Sequence, residues 1–393
     1  MLYDYQLEAL SKLRNGNILV GGVGSGKSRT AIAYYIRSVG GDMEGACGVP
    51  EGSPILYIIT TARKRDDREW DFDLAAFGLS VGEGVVVDSW NNVRKYSNVM
   101  GGFFLFDEQR VAGSGTWVRS FLRISRRNRW ILLTATPGDS WSDYIPVFVA
   151  NGFYRNKTEF LQRHAVWNRY TKYPKVDRWI EEYRLRQLRD SITVHMNYRT
   201  KNHIHKQDVL VNYNEELYKQ IWKDRWNPYT SLPIENVSEL CYTVRKIVNS
   251  DSSRISALTG IFEEHPKLIV FYNYDYELED LKYFAEGMAI KYAEYNGHVH
   301  QPVPNGNEWL YFVNYMAGAE AWNCITTDSM VFYSLSYSYK TMTQAAGRID
   351  RNNTPFSDLY YFYLRSKAPI DLGISRTLKY KKDFNAKDFV GKW

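Results

Sequence analysis

The sequence predicts an α/β protein built from two tandem parallel-sheet domains. In the first 150 residues, short apolar runs bounded by Gly, Asp or polar residues alternate with helix-like segments. The same alternation returns after residue 240, and the stretch between is rich in Arg, Lys, Tyr and Trp. Short apolar runs joined by helices are typical of parallel sheets, although periodicity alone does not exclude buried helices.

These patterns divide the chain into three expected segments. We expect an N-terminal domain over residues 1–150, a mostly helical bridging module over 151–239, and a C-terminal domain with a basic tail over 240–393. The strands expected in the first domain are residues 17–20, 55–60, 85–87, 103–106 and 130–134. In the bridging module we expect a helix with a basic face over 177–189. Later elements are expected to be a helix over 253–264, strands over 267–272, 307–315 and 329–335, and a surface helix or tail over 379–393.

Composition and charge are those of an ordinary globular chain. The 393 residues carry a net charge of +6, with 44% hydrophobic and 24% charged residues. This mild basic surplus suits a phosphate-backbone partner and suits a solvated surface equally well. The cysteines, Cys47, Cys241 and Cys324, are far apart and lack CxxC spacing, which favours a reducing compartment and argues against structural zinc. With neither a signal peptide nor a membrane-length apolar run, the chain is expected to be cytoplasmic.

A phosphate-binding loop is the strongest motif in the sequence. Residues 21–28, GGVGSGKS, fit the pattern G-x-x-x-x-G-K-[ST], follow a short apolar run and precede a helix-like segment. Glycines let backbone N–H groups turn toward phosphate oxygens, and the following helix N-terminus adds partial positive charge. A glycine-rich turn without a ligand is the competing interpretation, which the strand–loop–helix context disfavours. The expected nucleotide contacts are Gly22, Val23, Gly24, Ser25, Gly26, Lys27, Ser28 and Arg29.

A second motif supplies carboxylates for chemistry on the bound nucleotide, which we expect to be ATP with Mg²⁺. Lys27 is expected to reach the β and γ phosphates, and the Ser28 hydroxyl to ligate Mg²⁺. Downstream, residues 103–110, FFLFDEQR, form an aromatic strand that ends in Asp107 and Glu108. An Asp at such a strand end can hold Mg²⁺ through water, and the adjacent Glu can deprotonate an attacking water. An acidic pair in a surface turn is the alternative.

Together these motifs resemble superfamily 2 helicases and translocases. Residues 107–110 look like the DExx box, residues 134–137, TATP, look like motif III, and residues 344–351, QAAGRIDR, look like motif VI. Gln6 is similar in position to a glutamine with which the family contacts adenine. The motifs keep the family's order from residue 5 to residue 351. The resemblance implies two recombinase-like domains that clamp one nucleotide between them.

Within the superfamily, the chain is similar to the branch of Swi/Snf-type translocases and small bacteriophage replication helicases. Residues 136–141, TPGDSW, resemble the segment after motif III in that branch. Residues 317–323, AGAEAWN, resemble its motif V, with Ala321 where the family usually has Gly. The resemblance implies that Thr134 and Thr136 hydrogen-bond near the DExx loop; plain strand-end hydroxyls are the alternative.

The resemblance also implies catalytic roles on the second domain. Arg351 is expected to be an arginine finger and Arg348 to contact the γ-phosphate, with Gln344 opening the same motif. A surface helix carrying basic residues is the alternative for this segment. Gln109 is expected to relay between the carboxylates and motif VI. The full expected catalytic set is Lys27, Glu108, Gln109, Gln344, Arg348 and Arg351.

Candidate nucleic-acid contacts lie at strand ends, where hydroxyls, amides and backbone N–H groups suit phosphates. By resemblance they are Thr61, Arg63, Trp90, Asn273, Asn314 and Tyr315. Trp90 is expected either to stack on a base or to lie in the core. A basic run either lines a duplex or forms a solvated helix face; it consists of Arg178, Arg184, Arg186 and Arg189.

The sequence therefore predicts an ATP-dependent DNA helicase or translocase that couples hydrolysis in an interdomain cleft to movement along DNA. The expected partner is single-stranded or duplex DNA, bound without sequence preference. No association with a membrane is expected. Phage-type replication or recombination is the expected setting, which would place the protein in the host cytoplasm among replication proteins. Three alternatives remain: a duplex translocase that does not separate strands, an RNA helicase, and a non-motor ATP-gated clamp or loader.

Overall fold

The computed structural model describes residues 2–22, 24–43, 48–108, 111, 115–135, 137–138, 140–168, 175–198, 202–318, 324–351 and 354–391. The chain divides into two compact units, residues 1–199 and 200–393. Residues 151–239, for which the sequence predicts a separate bridging module, are therefore divided between the two units. Among the helices described, none combines the length and the apolar character that crossing a membrane requires.

The first unit contains eight strands and eight α-helices among its described residues. The strands are β1 (Ile18–Val20), β2 (Leu56–Thr60), β3 (Val85–Ser89), β4 (Phe103–Asp107), β5 (Arg129–Thr134), β6 (Ala165–Asn168), β7 (Lys175–Trp179) and β8 (Thr193–His195). The helices are α1 (Asp4–Lys12), α2 (Lys27–Ser38), α3 (Ala62–Asp66), α4 (Glu69–Ala75), α5 (Thr116–Ser125), α6 (Trp141–Ala150), α7 (Lys157–His164) and α8 (Glu182–Ile192). A 3₁₀ helix at Trp90–Tyr96 follows β3.

Six strands of the first unit form a wholly parallel sheet in the order β3-β2-β4-β5-β1-β8. All five residues of β4 are buried, as expected of a parallel strand that is covered on both faces. One hydrophobic cluster joins the sheet to α1, α2 and α4, and another joins it to α5, α6 and α8. The strands expected from the sequence correspond to β1 through β5, so the α/β prediction for this unit is confirmed.

Residues 153–198 add a hairpin, two helices and an edge strand to the first unit. Strands β6 and β7 pair in antiparallel fashion. Helix α8 begins after Glu181, whose φ of 55° is left-handed. The helix predicted over 177–189 is therefore wrong at its start, because residues 177–179 lie in strand β7. Strand β8 then pairs with β1 at the edge of the sheet.

The second unit has the same kind of architecture. Its strands are β9 (His203–Leu210), β10 (Trp226–Asn227), β11 (Leu232–Pro233), β12 (Lys267–Tyr272), β13 (Tyr292–Tyr295), β14 (Trp309–Asn314), β15 (Ser329–Phe332) and β16 (Asp358–Arg365). Its helices are α9 (Glu215–Asp224), α10 (Val237–Asn249), α11 (Ser252–Glu264), α12 (Asp275–Gly287), α13 (Tyr315–Gly318), α14 (Tyr339–Ala346), α15 (Pro369–Lys379) and α16 (Ala386–Val390).

The sheet of the second unit is also wholly parallel, in the order β13-β14-β12-β15-β16-β9. The strands expected from the sequence correspond to β12, β14 and β15. The edge strand β9 comes from the segment for which a helical bridge is predicted, as does β8 of the first unit. Most of β9 is exposed and polar, so it lacks the apolar run by which the buried strands are recognised.

The C-terminal segment is anchored in the core of the second unit, although the sequence predicts a surface helix or tail over 379–393. Phe384 and Phe389 are buried, with ring centroids 5.4 Å apart. Phe389 also packs edge-on against Trp222 of α9 at 5.8 Å. These aromatic contacts fix α16 to the unit, while the lysines around it remain at the surface.

Candidate nucleotide-binding and hydrolysis site

The glycine-rich loop connects β1 to α2 in a conformation that requires glycine. Gly24 and Gly26 have φ values of 80° and 73°, in the left-handed region that L side chains disfavour. A Cβ on Gly26 would lie 2.2 Å from Gln6 Nε2, and a Cβ on Gly21 would lie 2.5 Å from Ser25 Oγ. The loop leads directly into the N-terminus of α2, where unpaired backbone N–H groups suit a phosphate.

Helix α1 holds the loop through its first turn. Gln6 is buried, and its Nε2 donates to the carbonyl of Ser25 at 3.2 Å. Tyr5 Oη donates to the same carbonyl at 3.1 Å, and Gln6 Oε1 accepts a hydrogen bond from Tyr3 N at 2.9 Å. Both ends of the Gln6 amide are thus bonded to protein atoms. The structure gives Gln6 a role in fixing the loop, and the adenine contact stays a prediction.

Lys27 and Ser28 open helix α2 at the end of the loop. Lys27 Nζ donates to the carbonyls of Gly21 and Gly22 at 2.8 and 2.9 Å, which places the ammonium over the loop backbone. The next residue, Ser28, is half-buried in the first turn of the helix. Both residues therefore lie at the junction of the loop and α2, and their contacts to phosphate and Mg²⁺ stay predictions. Val23, another predicted contact, lies outside the described residues.

Arg29 is directed toward helix α4. Its Nε donates to Asp73 Oδ1 at 2.9 Å, and its guanidinium lies 5.3 Å from the ring centroid of Phe72. A nucleotide contact by Arg29 would require breaking this ion pair. The structure therefore favours a bracing role for Arg29, between α2 and α4, over the predicted cofactor contact.

The acidic pair follows β4, whose carboxyl end lies at the same edge of the sheet as the loop. Strand β5 separates β4 from β1, and all three run parallel. Neighbouring strands are about 4.8 Å apart, so Asp107 lies about two strand spacings from β1. Asp107 is only 3% exposed. Its Oδ2 accepts hydrogen bonds from Thr60 Oγ1 at 2.8 Å and from Lys64 Nζ at 2.9 Å.

Lys64 is an ionic partner of both acidic side chains. Its Nζ lies 2.9 Å from Asp107 Oδ2 and 3.6 Å from Glu108 Oε1. Burial by itself lowers the pKa of Lys64, but the charges of Asp107 and Glu108 outweigh it and leave that pKa raised above the ordinary lysine value. Lys64 is therefore an ammonium throughout the physiological range.

Glu108, the first residue after β4, has a strained backbone. Its φ is 62°, a left-handed conformation that costs a residue other than glycine about 1–2 kcal/mol. The turn brings the carboxylate beside Lys64, and its side chain is 14% exposed. Strain of this kind clusters at functional sites, where the surrounding structure holds it in place. Gln109, the predicted relay, lies outside the described residues.

Motif III begins at the end of β5, the strand that lies between β1 and β4, and contacts the glycine-rich loop. Thr134, the last residue of β5, is buried, and its carbonyl accepts a hydrogen bond from Gly21 N at 3.1 Å. Its neighbour in β5, Leu133, pairs in register with Asp107. Thr134 therefore lies between the loop and the acidic pair, and its hydrogen bond near the DExx loop stays a prediction. Thr136 and the motif V residues 319–323 lie outside the described residues.

The residues present fit a magnesium nucleotide. The loop combines glycines that a Cβ would disrupt, the Lys27 ammonium and a helix N-terminus, which together suit a polyphosphate. The Ser28 hydroxyl and the Asp107 carboxylate are hard oxygen donors, the ligand type that Mg²⁺ prefers. Lys27 would hold the terminal phosphates, and Ser28 and Asp107 would hold the metal.

The nucleic-acid candidates of the first unit differ in their surroundings. Thr61 caps α3, accepting a hydrogen bond from Lys64 N at 3.2 Å. Arg63 pairs with Asp67 at 3.2 Å and keeps 31% of its side chain exposed. Arg63 can therefore reach a phosphate with a modest change of rotamer, whereas the Thr61 hydroxyl is already engaged in the capping hydrogen bond of α3.

Trp90 lies in the core of the first unit. It is 2% exposed, its Nε1 donates to the carbonyl of Asp107 at 2.9 Å, and its ring stacks on Phe106 at 5.4 Å. A buried indole has no face open to a base. The structure therefore supports the interpretation of Trp90 as a core residue and contradicts the interpretation that it stacks on a base.

The predicted basic run does not form one helix face. Arg178 lies on β7, ahead of α8. Arg186 pairs with Glu182 at 3.5 Å, and Arg189 pairs with Asp190 at 2.9 Å. Local carboxylates thus compensate two of the four arginines, which favours the solvated-surface interpretation over a duplex-lining one.

In the second unit, the predicted contact residues meet at the carboxyl edge of the sheet. Asn314 Nδ2 donates to the carbonyl of Asn273 at 3.2 Å, and Asn273 Nδ2 donates to Ser334 Oγ at 2.7 Å. Both asparagines are half-buried at this edge. Tyr315 is 1% exposed and donates to the carbonyl of Ser334 at 2.9 Å. Tyr315 is a core residue, so its prediction as a nucleic-acid contact is wrong.

Glu277, which the sequence analysis missed, organises this edge. It is fully buried, and its Oε2 accepts hydrogen bonds from Asn273 N and Ser334 Oγ, each at 2.8 Å. Its Oε1 accepts a hydrogen bond from Asn249 Nδ2 at 2.7 Å. The sequence signal for Glu277 is weak, because acidic residues are common in the first turn of any helix.

Motif VI begins on α14 and continues into the turn after it. Gln344 lies on the helix and is 5% exposed. Arg348 lies in the following turn, is also 5% exposed, and its carbonyl accepts a hydrogen bond from Cys324 N at 3.2 Å. Arg351 is half-buried. The burial of Gln344 and Arg348 argues against a plain surface helix; their catalytic roles stay predictions.

Thr60 and Lys64 are further site residues that the sequence analysis did not connect to the carboxylates. Thr60 faces Asp107 because β2 pairs with β4, in register from Leu56 to Ile59. The two partners of that hydrogen bond are 47 residues apart in the chain. Nothing in the local sequence indicates which strand neighbours β4, so this pairing is visible only in the folded sheet.

No protein-family model and no curated protein matches the chain. Among solved structures, it is similar to the Sulfolobus solfataricus SWI2/SNF2 ATPase core in complex with dsDNA, at 14% sequence identity and a TM-score of 0.42. That alignment covers 100% of this chain and 94% of the other. A likeness at this level assigns neither a family nor a function, which must be argued from the residues of this chain.

Proposed function

We propose that this chain is an ATP-dependent DNA helicase or translocase. One observation carries the proposal: a single unit combines a loop that requires glycine, at the end of β1, with the buried Asp107 and the half-buried Glu108 at the end of β4. A phosphate cradle and a carboxylate pair on one sheet edge are the parts that nucleotide hydrolysis needs. The motif resemblance over both units makes a motor the preferred kind of ATPase.

In the proposed mechanism, each group of the first unit has one task. Lys27 binds the terminal phosphates, and Ser28 and Asp107 would hold a magnesium ion, which would neutralise phosphate charge. Glu108 orients the attacking water and accepts its proton. Thr60 keeps Asp107 in place through the bond to its Oδ2.

The second unit is proposed to complete catalysis with motif VI. Arg351 acts as the finger that stabilises charge on the transferred phosphoryl group, and Arg348 contacts the γ-phosphate, with Gln344 beside them. Dividing the catalytic groups between two units would couple turnover to movement of one unit relative to the other. This coupling is what would convert hydrolysis into stepping along DNA.

The proposed DNA contacts are phosphate contacts without base readout. On the second unit, Asn273 and Asn314 lie half-buried at the sheet edge, held by Glu277. On the first unit, the proposed contact is Arg63, whose side chain is 31% exposed. Amide and guanidinium contacts to phosphate position a strand without reading its sequence. A role in phage-type replication or recombination, together with replication proteins, rests on the motif resemblance.

The decisive test measures ATPase rate against the length of single-stranded DNA, duplex DNA and RNA. A motor hydrolyses faster on longer polymers until a plateau, whereas an ATP-gated clamp or loader shows no length dependence. Strand displacement and triplex displacement, run side by side, separate unwinding from duplex tracking. A chain that hydrolyses ATP at one rate regardless of polymer is not a motor.

A further inference from the structure

Lys64 occupies a position that the proposed mechanism leaves unexplained. Its ammonium donates to Asp107 Oδ2, and Asp107 is the carboxylate proposed to hold magnesium. The same oxygen also accepts a hydrogen bond from Thr60 Oγ1. Two donors at 2.8 and 2.9 Å take up the lone pairs of Oδ2, so a cation on Asp107 must either displace one of these donors or bind Oδ1 beside the Lys64 ammonium.

We propose that Lys64 and Mg²⁺ compete for Asp107. Lys64 thereby determines the Mg²⁺ concentration at which the nucleotide binds. The inference rests on the proposed function and deepens it. Mg²⁺ at Asp107, bound either through one of its waters or directly at about 2.1 Å, needs near-octahedral geometry. The Lys64 ammonium lies 2.9 Å from Asp107 Oδ2, so a dication on Asp107 would be close to it. Two positive charges that are close together in a buried site repel strongly.

The surroundings of Lys64 allow its side chain to leave while the helix stays. Two contacts other than those of Lys64 hold helix α3 in place. Thr61 caps its N-terminus, and near its C-terminus Arg65 Nη1 lies 3.1 Å from Asp88 Oδ1. The Lys64 side chain is 21% exposed, so its flexible four-carbon stem has an open direction in which to turn. Withdrawal of Lys64 therefore requires a rotamer change and no melting of α3.

The competition also explains why a lysine accompanies the acidic pair. Asp107 and Glu108 are two largely buried carboxylates, and burying like charges without a counter-charge is costly. Lys64 supplies that counter-charge within the unit. When the Lys64 side chain turns away, Glu108 loses the contact at 3.6 Å and its carboxylate can accept a hydrogen bond from water.

The first test titrates Mg²⁺ against binding of a fluorescent, non-hydrolysable ATP analogue. In Lys64→Met, the half-saturating Mg²⁺ concentration should fall about tenfold, a usual size for coupling between two binding events. Lys64→Arg keeps the competing charge and should keep the wild-type requirement. Lys95→Met removes an exposed lysine of the same unit and should change nothing. An unchanged or raised Mg²⁺ requirement in Lys64→Met overturns the competition.

The second test needs no variant, which matters if Lys64→Met does not fold. Reductive methylation of the wild-type chain, read by peptide mass spectrometry, should label Lys64 slowly without Mg²⁺ and faster with Mg²⁺ and the analogue, while Lys95 stays constant. Equal labelling of Lys64 in both conditions overturns the proposal. Wild-type protein that binds no nucleotide at any Mg²⁺ concentration refutes the proposed function instead, and the inference with it.

Discussion

At the scale of single residues, the chemistry depends on how carboxylates are held at a strand end. Asp107 has its Oδ2 bonded to Thr60 and Lys64, and Glu108 lies 3.6 Å from Lys64. The Asp107 carboxylate is the more deeply buried of the two and suits a metal, whereas the more exposed Glu108 carboxylate suits a base that takes up a proton and releases it.

We therefore expect Glu108→Gln to bind the Mg²⁺ nucleotide normally and to lose hydrolysis by at least about a hundredfold, because no carboxylate remains to accept the proton of water. Equilibrium binding of the fluorescent analogue and single-turnover hydrolysis measure the two effects separately. Glu83→Gln, an exposed residue before β3, is the control. Normal hydrolysis by Glu108→Gln would exclude Glu108 as the base.

A second prediction concerns pH and a histidine remote from the site. His164 is fully buried, with Nε2 2.8 Å from Tyr154 Oη and Nδ1 3.3 Å from the carbonyl of Ile180. Burial lowers its pKa below the ordinary value of about 6.5, more than the nearby Ile180 carbonyl and Glu181 raise it. The unfolded chain therefore binds this proton more readily than the folded one.

The sign of the effect follows from that difference. The contribution of His164 to stability is fully present above about pH 6.5 and is lost as the pH falls below it. Urea denaturation at pH 7.5 and pH 5.5 should show a smaller loss of stability on acidification in His164→Gln than in wild type. An equal or larger loss in the variant would show that His164 does not titrate in this way.

At the scale of elements, a buried arginine fastens the strands of the second unit to their helices. Arg254 of α11 is fully buried; its Nη1 donates to the carbonyls of Tyr333 and Leu364, just after β15 and within β16. Its Nη2 lies 3.0 Å from Asp371 Oδ2 on α15. One side chain thereby joins two helices to the ends of two neighbouring strands.

Replacing Arg254 by Met should destabilise the second unit by about 3–5 kcal/mol, because Asp371 would keep a buried charge without its partner. Urea denaturation followed by tryptophan fluorescence measures the loss. The double variant Arg254→Met, Asp371→Leu should recover part of it, since the orphaned charge is then gone. A loss equal to the sum of the two single variants would show that the two residues do not act as a pair.

At the scale of the whole molecule, the proposal requires both units for turnover. Arg351→Ala should bind the nucleotide almost normally and lose hydrolysis by about a thousandfold, because a finger acts in the transition state. Arg376→Ala, an exposed arginine of the same unit, is the control. Wild-type turnover by Arg351→Ala in the presence of DNA would leave the second unit without its proposed catalytic role.

DNA binding should be independent of sequence and should weaken steeply with salt, because neutralised phosphates release counterions. Fluorescence anisotropy with two scrambled duplexes and two scrambled single strands, across a salt series, measures both properties. Binding confined to one sequence, or insensitive to salt, would contradict phosphate contacts of the kind proposed for Arg63, Asn273 and Asn314.

The sequence alone identifies the features that local patterns encode. The loop over residues 21–28 is recognisable because its glycines, Lys27 and Ser28 are adjacent in the chain and need no folded context. The central strands are recognisable because parallel strands buried on both faces must be apolar throughout. The exposed strand β9 escapes detection because its residues are mostly polar and solvated, and its position comes from pairing with β16.

Which residues surround the carboxylates was decided only in the tertiary structure. Lys64 and Thr60 reach Asp107 because β2 is the neighbour of β4, and Glu277 reaches Ser334 because β12 is the neighbour of β15. The same packing placed Trp90 and Tyr315 in the core, although both follow strands at functional edges. A linear sequence specifies which side chains are available, but strand order determines which of them meet, since hydrogen bonds and ion pairs act only over a few ångströms.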